Sequence, residues 1–284
     1  MTCQWQSLLR ILPDRLREPI DRLGKHDLQE LRLRVGQDVE LVRASGQTFV
    51  PVKITADDFT YIVNMATQYS PWAATSSYKG FITAPGGHRI GLCGATVNHK
   101  GEISGFQNIY SLCIRVARDI PGIGKSAISI AGSFLLIGRP GAGKTTLLRD
   151  IVRQISDHNV LQIVVIDERE ELFPVWDSQF AFPTGRHTDV LSGCPKEEGI
   201  DMALRCMRPD IIAVDEITSA DDCDSLLRAG WCGVRLIATA HAGSIKELYS
   251  RPVYRPILET RLFDKIVVLE QDKSWHVEEV CSRC

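Results

Sequence analysis

Apolar and polar residues alternate along Leu31-Arg32-Leu33-Arg34-Val35, which predicts a strand buried on one face, and Val39–Val42 and Phe49–Ile54 repeat the signal after Gly-containing turns. Together they predict a small antiparallel meander. The period then lengthens: Phe59, Ile62, Val63 and Ala66 fall on one helical face, Thr55 with Asp58 three residues on makes a capping-box pattern with Asp in place of Glu, and Pro71 marks the stop. Pro85-Gly86-Gly87-His88-Arg89 reads as a turn into a further strand, Ile90 to Val97, and Asn98-His99-Lys100-Gly101 as a second turn. Beyond the Pro/Gly cluster Arg118-Asp119-Ile120-Pro121-Gly122-Ile123-Gly124 the texture changes. Phe134–Ile137, Leu161–Ile166, Ile211–Val214, Leu236–Ala238 and Ile266–Leu269 are short continuous apolar runs between longer helix-compatible segments, the pattern of strands buried on both faces of a mostly parallel sheet. The expected organisation is an α+β N-terminal domain over residues 1–120, a linker over 121–132 and an α/β domain over 133–284.

Composition narrows the partners. Lys+Arg 33 against Asp+Glu 35 leaves a net charge of −2, so no basic excess is available for a long run of phosphates and nucleic acid is not an expected partner. No stretch approaches the roughly 18 consecutive apolar residues of a spanning helix. Met1-Thr2-Cys3-Gln4-Trp5-Gln6 also lacks a charged-then-apolar leader pattern, so the expectation is a cytoplasmic chain with no direct membrane insertion. The nine cysteines are an odd count with no framework spacing, which suits reduced thiols. Cys281-Ser282-Arg283-Cys284 has a Cys-x-x-Cys spacing but supplies only two of the ligands a structural zinc needs.

The chemistry concentrates in Gly138-Arg139-Pro140-Gly141-Ala142-Gly143-Lys144-Thr145-Thr146, which satisfies G-x-x-x-x-G-K-[ST] with an apolar run directly before it and a helical stripe, Leu147, Leu148, Ile151 and Ile155, after it. Such a loop wraps phosphates with backbone N–H groups at a helix N-terminus. Lys144 is expected on the β- and γ-phosphates of ATP, and the Thr145 hydroxyl on Mg²⁺. Gly122-Ile123-Gly124-Lys125-Ser126 imitates the motif but fails it, because Asp119 stands where the first Gly belongs, Pro121 sits inside, and Ser126–Gly132 is too short for the required helix. Two strands end in acids. Ile211–Val214 leads to Asp215-Glu216, a Walker B pattern in which Asp215 is expected to hold Mg²⁺ and Glu216 to polarise the attacking water. Ile163–Ile166 leads to Asp167-Glu168-Arg169-Glu170, where Glu168 is the alternative base and a solvated turn the bland reading. Leu236–Ala240 ends at His241, either a structural histidine or a γ-phosphate contact at the catalytic rim.

These segments resemble, in order, those of the secretion-ATPase superfamily, the ring motors of type II and type IV secretion and pilus assembly. Gly138–Thr145 resembles their P-loop, Ile166–Leu172 their Asp box, Leu204-Arg205-Cys206-Met207-Arg208-Pro209-Asp210 with Ile211–Glu216 the run into their Walker B box, and Thr239-Ala240-His241 their His box. Those motors commonly carry Gly where Asp215 stands. The chain is more similar still to one branch, the stage III sporulation protein AA family of endospore-forming bacteria, through Pro85–Gly94, Pro140–Asp150, Thr188–Lys196 and Ile212–Ile217. The resemblance implies a RecA-like P-loop ATPase domain and a homo-oligomeric, hexameric ring. It further implies docking on membrane proteins of a sporulation channel complex, peripheral to the membrane on the mother-cell side. It also implies an arginine finger from the N-terminal domain, for which Arg89 and Arg115 are the positioned candidates; solvent-facing strand residues are the alternative reading, and Arg186 and Arg205 would inherit the role. Two rivals stand beside the ATP-hydrolysing motor: a nucleic-acid-dependent motor on the same core, disfavoured by charge, and a non-hydrolysing nucleotide-dependent scaffold, disfavoured by Glu216.

Overall fold

The alternating segments near the N-terminus pair as an antiparallel sheet because each has one apolar row to bury and one polar row to leave in water. The computed structural model describes residues 2–25, 27–43, 45–69, 80–99, 102–176 and 178–280. Two compact units result, residues 1–118 with 174–181, and residues 119–173 with 182–284. Pro174–Ala181, although it interrupts the second unit in sequence, belongs to the first. Pro71, Lys100-Gly101 and the Cys281/Cys284 pair lie outside the described residues.

In the first unit the helices α1 (Trp5–Arg10) and α2 (Asp14–Gly24) precede the strands β1 (Leu28–Arg34), β2 (Asp38–Arg43) and β3 (Gly46–Lys53). After the helix α3 (Ala56–Thr67) come β4 (Phe81–Ala84), β5 (His88–His99) and β6 (Glu102–Arg115). The sheet order is β3-β2-β1-β6-β5-β4, antiparallel throughout. Leu31, Leu33, Leu41, Ile90, Leu112 and Ile114 share one core with Leu8, Leu16, Ile20, Phe59 and Ile62 of the helices. Each such burial contributes about 1.5–3 kcal/mol. The capping box forms: Thr55 accepts from the Asp58 N–H, and the Asp58 carboxylate accepts from the Thr55 N–H. Gln68, in a left-handed conformation, ends α3 after Thr67, ahead of the proline. The helices α1 and α2 have no counterpart in the sequence reading.

In the second unit the apolar runs become β7 (Phe134–Gly138), β8 (Ile163–Asp167), β10 (Ile211–Val214), β11 (Arg235–His241) and β12 (Lys265–Leu269), joined by β9 (Thr188–Ser192) and the edge strand β13 (Trp275–Glu279). Their order is β9-β8-β10-β11-β7-β12-β13, with every pair parallel except β12 with β13. The helices α4 (Lys144–His158), α5 (Lys196–Cys206) and α6 (Ala220–Trp231) connect strands. The mostly parallel α/β unit therefore follows an α+β unit, as the hydrophobic pattern indicates. Among the described residues no helix is long and apolar enough to cross a membrane.

Candidate active site

Parallel register brings the chemical groups to one edge. His241 is the β11 partner of Gly138 on β7, Val214 pairs with Ala238, and Ile166 pairs with Val214, so the ends of four neighbouring strands deliver Asp167, Asp215, His241 and the P-loop to the same rim. Gly141 and Gly143 take φ of +76° and +105°, a conformation glycine adopts without strain, and turn the loop into the first turn of α4.

Lys144 is buried, and its ammonium donates to the Gly138 carbonyl at 2.8 Å, the Arg139 carbonyl at 3.3 Å and His241 Nδ1 at 2.9 Å. Burial lowers its pKa, while Asp215 and Glu216 pull the other way. An ammonium can only donate, so His241 Nδ1 accepts and Nε2 carries the proton that faces Glu216 Oε1 at 3.1 Å. The second Glu216 oxygen is ion-paired with Arg169. Glu216 sits at φ +57°, an unfavourable conformation for a side-chain-bearing residue, held by its N–H donating to Thr239 Oγ1 at 2.8 Å. Thr145 Oγ1 donates to Asp215 Oδ2 at 2.7 Å, and Thr239 Oγ1 to Asp215 Oδ1 at 2.6 Å. A chain of contacts thus runs from the P-loop lysine through His241 to Glu216 and Arg169, with Thr145 and Asp215 tied together beside it.

Hard oxygens meeting at Thr145 and Asp215 suit Mg²⁺, which takes one or two carboxylates and completes its shell with water and substrate phosphates. Among the described residues no group of three or more His, Cys, Asp or Glu converges as a protein-only cage.

Behind the rim lies a buried charge cluster on α4. Arg153 donates to Asp119 Oδ2 at 2.6 Å and pairs with Asp150; Arg149 donates to the carbonyls of Leu172 and Glu171 and stacks over Phe182 at 4.2 Å. Burial pushes the Arg149 guanidinium down to about 10 and the Asp167 carboxyl up to about 6, the latter against backbone N–H donors from Phe173, Leu172 and Glu171. The imitation motif has a structural job: Gly122 and Gly124 donate their N–H groups to Asp150 at 3.1 and 2.6 Å. A Cβ on Gly124 would stand 2.8 Å from the Ile151 backbone nitrogen, so glycine is needed for that approach.

Glu168 pairs with Lys196, which also lies 3.5 Å from Asp222. Arg205 is largely exposed beside Asp201, and Arg186 donates its N–H to Asp157. Arg89 and Arg115 belong to the first unit, directly paired across β5 and β6; Arg89 stacks on Phe81 at 3.8 Å and Arg115 faces Glu30 at 3.7 Å. Sequence reading missed Arg169 and Thr239 as members of the rim, although one follows the acidic pair and the other stands two residues before His241 on the same strand. It also missed Lys273, whose ammonium donates to the Gly141 and Ala142 carbonyls at 2.9 Å each and so braces the P-loop; nothing in its neighbourhood signals that contact.

The family profile described as sporulation stage III, protein AA, matches residues 3–280. Stage III sporulation protein AA of Bacillus subtilis (strain 168) is 33% identical over 280 residues, covering 94% of this chain and 91% of that protein. Among solved structures, the pilus retraction motor PilT with bound ADP superposes with a TM-score of 0.59 at 16% identity, covering 92% of this chain and 77% of that one. The ATPase DotB of Legionella pneumophila gives 0.57 at 16% identity, covering 88% and 75%. Likeness at such identities shows a shared fold. On a fold of the secretion-ATPase type, this chain belongs to the sporulation stage III, protein AA family.

Proposed function

We propose that the protein hydrolyses ATP as a subunit of a homo-oligomeric, hexameric ring that docks on membrane proteins of a sporulation channel complex, at the cytoplasmic face on the mother-cell side. The observation that carries the hydrolytic part of this reading is the contact chain Lys144–His241–Glu216, set beside the Thr145–Asp215 pair, while the ring and its docking are supported by the family the chain belongs to. A ground-state phosphate contact and a water-orienting carboxylate are there joined by one imidazole.

Gly138, Arg139, Pro140, Gly141, Ala142, Gly143, Lys144, Thr145 and Thr146 bind the phosphates of ATP through the loop and the start of α4. Thr145 and Asp215 would hold Mg²⁺, which when bound neutralises charge developing on the phosphoryl oxygens. Glu216 orients the attacking water and takes its proton, with Glu168 as the alternative base. His241 carries the state of Lys144 to Glu216, since both of its nitrogens are engaged. Arg89 and Arg115 are the candidates for delivery from a neighbouring copy.

The test pairs two variants. Lys144→Ala loses nucleotide binding, whereas Glu216→Gln keeps it and loses about 10²–10⁴-fold in turnover. Wild-type turnover in Glu216→Gln would transfer the base role to Glu168; wild-type protein that binds ATP without hydrolysing it would overturn the reading in favour of a scaffold.

A further inference from the structure

The Glu216 carboxylate is the proposed base, yet each of its oxygens already has a donor, Arg169 on one and His241 on the other. A carboxylate so occupied has fewer lone pairs to offer a water. Sites for a water remain on it, but a guanidinium held on the carboxylate favours its charged form and weakens it as a base, and Arg169 is the partner able to move off it. Its side chain is 49% exposed while its backbone is held in a fixed turn. The Asp167 carbonyl accepts from the N–H groups of Glu170 at 3.2 Å and Gly193 at 3.0 Å, and the Asp167 carboxylate accepts from Glu171 and Phe173 at 2.9 and 2.8 Å. A long, half-exposed guanidinium on a rigid mount swings over a small set of positions, which suits a group that must be in one of two places.

Four other arginines of this unit face elsewhere. Arg149 and Arg153 are buried in the α4 cluster, and Arg205 sits beside Asp201. Arg139, although inside the P-loop, lies against Gly243 near Glu247. The transition state of phosphoryl transfer spreads negative charge over the γ-phosphoryl oxygens, more than one ammonium and one metal neutralise.

We propose that Arg169 is a catalytic arginine supplied within the chain, one that exchanges the Glu216 carboxylate for the γ-phosphoryl oxygens of the bound nucleoside triphosphate. This deepens the ATPase reading above and rests on it. The exchange does two things at once: it places a planar cation on the developing charge, and it frees a Glu216 oxygen for water. In the step itself the water oxygen forms the new bond to the γ-phosphorus. The bond from that phosphorus to the bridging oxygen breaks with its electron pair leaving on ADP, and the water proton passes to Glu216. Arg169 gains and loses no proton. Arginines delivered by a neighbouring copy would act beside it on other oxygens.

The experiment compares full-length wild type, Arg169→Ala and Arg169→Lys in three measurements: steady-state ATP turnover, affinity for ADP, and retention of an ADP–aluminium fluoride complex that mimics the transition state. The expected result for Arg169→Ala is turnover lower by about 10²–10³-fold, ADP affinity within about threefold of wild type, and loss of the aluminium fluoride complex. Arg169→Lys, keeping the charge without the fork, recovers less than about tenfold of the turnover. Turnover in Arg169→Ala equal to or above wild type would overturn the proposal and leave Arg169 as a restraint on Glu216. A parallel fall of ADP affinity and turnover in both variants would also overturn it, by making the residue structural. If wild type itself shows no hydrolysis, the ATPase reading fails and this assignment with it, a result distinct from active wild type with an equally active Arg169→Ala.

Discussion

In the first unit, buried charged side chains pair with half-exposed partners; the second unit also holds one cluster in which charges of both signs leave water together. Glu40 is buried but its partner Arg34 is half in solvent, and Asp58 caps α3 with a half-exposed Arg15 beside it. The second unit buries Asp119, Arg149, Asp150 and Arg153 as one cluster, both signs at once, on the helix that begins with Lys144. A pair with one wet member can rehydrate when broken, whereas a dry network cannot, so the same chemical change should have different consequences in the two places. Cost is concentrated where the chemistry is.

The contrast is tested most severely by Arg153→Ala. It leaves the buried Asp119 with only Arg149, 3.9 Å away, and removes the charged partner of Asp150, which keeps the N–H groups of Gly122 and Gly124; stability should fall by about 3–5 kcal/mol, while Arg34→Ala, which lets Glu40 reach water, should lose about 1 kcal/mol or less. Urea denaturation of both variants decides it, and equal losses would erase the distinction.

The next test concerns the most deeply buried ionisable group among the described residues of the first unit. His88 Nδ1 accepts the Ala117 N–H at 3.1 Å, so its Nε2 proton goes to the Gln4 carbonyl at 3.0 Å. Burial pushes its pKa from 6.5 down to about 4. The folded state therefore refuses a proton that the unfolded chain accepts, and its contribution, up to about 3 kcal/mol, is complete above about pH 6.5 and is lost as pH falls towards 4. Peptide-resolved hydrogen exchange should show β5 and β6 losing protection across that window, and His88→Gln should flatten the loss. Protection in β5 and β6 that stays level between pH 7 and 4 would show the histidine to be no weak point.

The smallest expected effect bears on whether the first unit is more than a scaffold. Replacement of Arg89 or Arg115 by Ala should lower ATP turnover about a hundredfold, equivalent to about 2.7 kcal/mol, with nucleotide affinity little changed. Wild-type turnover in both variants would confine all the chemistry to the second unit and widen the contrast.

How much of this was legible depends on how far each feature reaches along the chain. The P-loop is contiguous, so Gly138 to Thr146 carry their own context, and the Thr55–Asp58 box is likewise local. The parallel strands are legible because a segment buried on both faces must be apolar throughout. Arg169 and Thr239 are different, since their neighbours at Glu216 and Asp215 are set by the pairing of β8, β10 and β11, which no single segment specifies. Arg149 and Arg153 stand four apart on a helix and look like an ordinary wet face; only the fold buries them. In α2, Pro19 lies inside the helix and obscures the stripe of Leu16 and Ile20.

The division of the chain has a consequence for inheritance. Because Pro174–Ala181 belongs to the first unit, the backbone passes between units three times, at 118/119, 173/174 and 181/182. No single cut in the gene releases either unit whole: a fragment beginning at Asp119 carries a loop of its neighbour, and a fragment ending at Arg118 lacks it. Two of the passages adjoin segments fastened to α4, through Asp150 to Gly122 and Gly124 and through Arg149 to Glu171 and Leu172. Moving the second unit onto another N-terminal partner would require two excisions and a splice, so recombination at a single point cannot exchange either unit.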